Sequence, residues 1–189
     1  MAKKGLRYVA FGILGNDGTY SNGKHLSPAA ALSGNATVSD VKDYGDDRAV
    51  ETDKSVTGGT LTVELNNDDD ELYTYLLGHS KDGTSGEIDH LVDDVAPFVG
   101  VGCIGQSGSA WVSKLYKKVQ FTEPNDENAT KEENVTFNHI TLEGDILIPE
   151  DGSWKLRKTF TTLAAAKTWL NGKLGVTEPE GATGATGET

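Results

Sequence analysis

The chain is poor in several features, and each shortage narrows its class. It has a single cysteine in 189 residues, Cys103, so no disulfide can form within it, which fits folding in a reducing compartment. No apolar run approaches the roughly 18 residues of a membrane-spanning helix. Met1–Gly5 is followed by no apolar signal core, so neither a membrane span nor secretion through a cleaved signal is expected. Basic residues are also few, 17 against 29 acidic, giving a formal charge of -12 and a pI near 4.7. A general nucleic-acid-binding surface would work against that field. The same field suits another task, because an acidic wall lets a polyanion slide past without sticking.

Glycine is abundant, with 23 residues, whereas hydrophobic residues make up only 36% of the chain and charged residues 24%. A turn-rich domain with an appended tail is expected at this length. Most of the chain has an apolar period of two. Leu61, Val63 and Leu65 fall on one face of a strand, and Thr60, Thr62 and Glu64 on the other. Trp111, Leu115, Val119 and Phe121 alternate with Val112, Lys114, Tyr116, Lys118 and Gln120 in a second strand, expected to bury both faces in part. Further strands are expected over Leu6–Leu14, Ala29–Val38, Val95–Ile104, Val135–Ile148 with a break at Gly144-Asp145, and Trp154–Phe160. Two segments change to helical spacing. Asp69 is placed to cap a short helix bearing Leu72, Tyr75 and Leu76 and ending at Gly78. Thr161 or Thr162 is placed to cap a helix over Leu163–Asn171, with Gly172 as its stop. A β-rich α+β domain follows. Gly15–Lys24, Asp40–Asp53 and Thr122–Glu133 read as long loops, and the chain from 177 to 189 as a flexible, low-complexity tail.

The chemical motifs resolve into structural features. Gly100, Gly102 and Gly105 spell GxGxxG, but a strand rather than the phosphate-binding helix follows, so they mark a strand end and hairpin turn. Asn66, Asp68 and Asp70 begin an EF-hand-like spacing that fails at Glu71 and Leu77, leaving an acidic helix start. His25, His79, His90 and His139 have no metal-ligand spacing, with or without Cys103, and read as turn or surface residues. No nucleophile elbow or P-loop is present. These motifs supply neither a cofactor nor a metal, and the abundant carboxylates leave a glycosidase-like pair open without singling one out.

Six segments carry a family resemblance when taken in order: Gly5-Leu-Arg-Tyr, Tyr44-Gly-Asp-Asp-Arg-Ala-Val-Glu-Thr-Asp53, Gly58-Gly-Thr-Leu-Thr, Leu76-Leu-Gly-His79, Ala96-Pro-Phe-Val-Gly-Val-Gly102 and Trp169-Leu-Asn-Gly-Lys-Leu-Gly175. Together with Tyr116-Lys-Lys-Val-Gln-Phe-Thr-Glu-Pro124, their order and spacing resemble the major tail protein family of siphoviruses. The resemblance implies a tail tube domain over 1–176, a β-sandwich or barrel with a flanking α-helix and long loops. It implies a non-enzymatic virion protein, assembled in the host cytoplasm, whose homo-oligomeric hexameric rings stack into the tail tube and meet other phage tail proteins. Phage DNA would pass through the lumen without specific binding, and no membrane would be involved. The segment from Asp40 to Gly59 is then expected to project from one ring onto the next. Tyr44 would be its aromatic anchor, with Asp46, Asp47, Arg48 and Glu51 as charged partners across the junction. A different class remains open: a monomeric β-sandwich binding module, for carbohydrate for example, using Trp111, Trp154 or Trp169 as a stacking platform.

Overall fold

Strands with both faces buried must alternate two apolar sets, and the middle of this chain does so. The computed structural model describes residues 3–45, 48–125 and 139–177. In chain order its elements are β1 (Lys3–Leu14), β2 (Tyr20–Lys24), β3 (Ala29–Val38), β4 (Val41–Gly45), β5 (Arg48–Asp53) and β6 (Val56–Leu65). A short helix α1 (Asp70–Leu72) runs into a π-helical turn over Tyr73–Leu77. Then come β7 (Ser80–Lys81), β8 (Ile88–Asp89), β9 (Val99–Ser107), β10 (Ala110–Phe121), β11 (Ile140–Ile146), β12 (Lys155–Phe160) and helix α2 (Leu163–Leu174).

The fold is β-rich, built on one large antiparallel sheet ordered β2-β1-β9-β10-β11-β6-β3, with β12 also paired to β10. Strand β10 organises it. Trp111–Tyr116 pair with β12, the register shifts between Tyr116 and Val119, and Val119–Phe121 pair with β11. A bulge there bends the strand and hands the sheet from one set of partners to the next. Among the described residues the ladder does not close, since β2 and β3 end the order without pairing to each other.

Period-two alternation sends Val9 and Phe11 of β1 and Val99, Val101 and Cys103 of β9 into one core, with Leu61, Val63 and Leu65 of β6. The intervening Tyr8, Ala10 and Ile104 face a second core beneath α2, with Leu115, Ala166, Leu170 and Leu174. Gly100 and Gly102 lie on this second face, inside β9 rather than at its end. A Cβ on Gly102 would sit 2.5 Å from Leu170 Cδ1, and one on Gly100 would sit 2.4 Å from Tyr20 Cε1. The first two glycines of the GxGxxG motif are therefore a seat for close packing of α2 and Tyr20 on the sheet. The hairpin turn follows it at Gly108, whose φ of 64° is left-handed. Thr162 caps α2, its hydroxyl oxygen accepting from the Ala165 N–H at 3.3 Å. Tyr8 O–H donates to Asn171 Oδ1 at 3.0 Å, fixing the helix to β1.

Several expectations are corrected. Helix α2 runs through Gly172 and stops at Gly175, whose φ is 67°, because Leu174 is fully buried and its packing outweighs one unfavourable glycine. Asp69 holds the N-cap position of α1 without a side-chain cap bond. Strand β9 begins at Val99, after Pro97, and β11 crosses Gly144-Asp145 unbroken. Gly15–Lys24 contains β2, paired to β1. The expected loop Asp40–Asp53 is mainly the β4–β5 hairpin. The tail beyond Thr177, and 126–133 of the expected loop Thr122–Glu133, lie outside the described residues.

Candidate functional site

Two regions stand apart from the cores. The first is an arm. Strands β3 and β6 pair from Ala29↔Leu65 to Val38↔Val56, and the Ser39 N–H then donates to Ser55 O at 2.8 Å. Beyond that bond β4 and β5 continue as a ladder from Val41↔Asp53 to Gly45↔Arg48, and among the described residues they pair with no other strand. The expected junction residues divide accordingly. Tyr44 pairs with Ala49, Arg48 with Gly45 and Glu51 with Asp43, whereas Asp46 and Asp47 lie outside the described residues.

The second region runs from Gly78 to Phe98 and is polar within and apolar without. Gly78, at φ 82°, reverses the chain after the π-helical turn. Asp82 then closes a tight turn by accepting N–H bonds from Thr84 and Ser85, which hold its carboxyl below the usual range. Gln120 donates to Ala96 O at 2.8 Å and pins the far end to β10. Leu91, Val92, Val95 and Phe98 nevertheless face solvent, Val92 completely.

At the base of this segment lies a cluster that sequence spacing did not disclose. His79 Nδ1 lies 2.7 Å from Asp94 Oδ2, and its Nε2 lies 2.9 Å from Glu123 Oε2. His90 Nδ1 lies 2.9 Å from the other oxygen of the same Glu123 carboxylate, and the two imidazole rings are 4.1 Å apart. Asp94 also accepts the Leu91 N–H at 3.0 Å. Burial opposes the charged form of His79, but the hydrogen bonds and charges of Asp94 and Glu123 outweigh it and raise its pKa. The bond from His79, followed by that from Leu91, lowers the pKa of Asp94. His79 is buried rather than a surface residue. The elements that bring it to His90 and Glu123 are distant in sequence, so no local motif announces the cluster.

An open cleft of about 680 Å³ lies between β3 and the strands β9, β10 and β12, with Leu32, Gly34, Tyr116, Lys114, Lys155 and Arg157 in its walls. Cys103 also lines it. The three tryptophans are each partly buried. Trp111 and Trp169 pack on the core beneath α2, and Trp154 on the other core. Comparison with protein-family models finds no match, and comparison with curated proteins finds none either.

Proposed function

We propose that this chain is a structural, self-assembling protein of the siphovirus tail-tube type. Its sheet would serve as the tube's sandwich or barrel wall, and its hexameric rings would stack into a conduit for DNA in the virion. The observation that carries the reading is the β4–β5 arm, which prolongs the β3–β6 ladder past the core and has no strand partner of its own among the described residues. An isolated two-stranded hairpin is marginally stable in water. An arm of this kind gains order by lying against another subunit.

Two further features support the assignment. Leu91, Val92, Val95 and Phe98 offer apolar contact to a neighbouring copy. The charge of -12 suits a wall past which DNA moves without adhering. Among the described residues no helix is long and apolar enough to cross a membrane. On this reading Tyr44, Asp46, Asp47, Arg48 and Glu51 belong to the junction between rings. Negative-stain microscopy of the concentrated protein tests it: rings or tubes of uniform width are expected, and a strictly monomeric protein counts against it.

A further inference from the structure

The cluster at the base of the 78–98 segment has the composition and convergence of a metal site. We propose that His79, His90 and Glu123 bind one divalent transition-metal ion of the Zn2+ type, with Asp94 orienting His79 from behind. This inference is independent of what the chain assembles into.

The geometry supports it at three points. First, one ligand atom from each of His79, His90 and Glu123 lies within 4.8 Å of the others. Ligand bonds of about 2.0–2.2 Å in a tetrahedral site place neighbouring ligand atoms a little over 3 Å apart. The present 2.9 Å separations from the imidazole nitrogens to the carboxylate need open by only a few tenths of an ångström to admit the ion.

Second, the outer partner is already in place. An ionised carboxylate only accepts, so His79 Nδ1 carries its hydrogen toward Asp94, leaving Nε2 directed at Glu123. Asp94 is itself held by the Leu91 N–H. A carboxylate behind a ligating histidine fixes the ring's tautomer and orientation for a metal in front of it. Protonated at both nitrogens, His79 donates to Asp94 and to Glu123, and a metal ion at Nε2 would take the place of the second proton. A divalent ion there would also face His90, whose ring lies tilted with its centroid 4.1 Å from that of His79.

Third, the ion has a way in and a structural effect. His90 and Glu123 are about half exposed, which leaves room for entry and for a water as a further ligand. Two imidazoles and one carboxylate favour Zn2+ over the all-oxygen preferences of Ca2+ and Mg2+. The ligands come from the end of the π-helical turn, the stretch after β8 and the stretch after β10. One ion would therefore staple the segment carrying Leu91, Val92 and Val95 to the body of the fold.

The test uses the untagged full-length chain, stripped with a chelator and titrated with Zn2+ by calorimetry and with Co2+ by visible absorption. One equivalent per chain is expected, with a Co2+ spectrum that Zn2+ abolishes and a melting temperature that rises with Zn2+. His90→Gln and Glu123→Gln, at exposed positions and checked for folding by circular dichroism, should each weaken binding about tenfold or more. His25→Gln and His139→Gln should bind as the parent does. Absence of stoichiometric binding, or binding that both His90→Gln and Glu123→Gln retain in full, overturns the proposal and leaves the cluster as an ion-pair network only.

Discussion

In β9, Val99, Val101 and Cys103 press into one core while Gly100, Gly102 and Ile104 meet the other, so nearly every residue is fixed by a neighbour. In the β4–β5 arm the same antiparallel ladder carries Val-Lys-Asp-Tyr-Gly against Arg-Ala-Val-Glu-Thr-Asp, with few apolar residues and no further strand alongside among the described residues. The contrast separates two sources of order. Where both faces of a strand are buried, side-chain packing determines structure and substitutions are costly. Where the ladder leaves the body, backbone bonds hold a two-stranded hairpin, which by itself is marginally stable in water.

The comparison can be tested from its costly end to its cheap end. Leu170→Ala should have the largest effect, a loss of about 2–5 kcal/mol in denaturant unfolding, because Leu170 is fully buried between α2 and the sheet. Gly102→Ala should cost about 1–3 kcal/mol by overpacking the same contact. Thr162→Ala removes the cap of α2 and should cost about 1 kcal/mol. Tyr20, Tyr75 and Tyr116 change nothing at neutral pH. Burial is the main cause that pushes each hydroxyl up to about 12, from 10 in the unfolded chain. Between pH 10 and 12 the unfolded chain gives up these protons before the folded one does, so stability falls as the pH rises through that range. Tyrosinate absorbance and circular dichroism in alkali should therefore change together.

The parts legible in the sequence were those whose burial imposes a period. Leu61, Val63 and Leu65 are all fully buried in β6, and Ala166 and Leu170 hold the inner face of α2. Legibility failed where burial does not set the pattern. The arm reads as a loop because its ladder is made of backbone bonds, which leave no apolar alternation. The glycines of β9 read as a turn because their partners, Leu170 and Tyr20, are distant in sequence. The histidine cluster was hidden for the same reason. His79 and His90 meet one carboxylate at Glu123, 44 and 33 positions further along the chain.

Replacing Val41–Asp53 with a short glycine-serine turn gives the smallest expected effect on the subunit and the largest on assembly. The exchange spares the Ser39–Ser55 bond and the Val38↔Val56 pair, which a cut reaching Thr57 would remove. Unfolding free energy should change by no more than about 0.5 kcal/mol, as for surface changes remote from the core. Negative-stain microscopy of this variant beside the parent, both at high concentration, tests the central claim most directly. The account predicts tubes of uniform width from the parent, and only separate rings or subunits from the equally stable variant. Tubes of normal length and stability from the variant would contradict it.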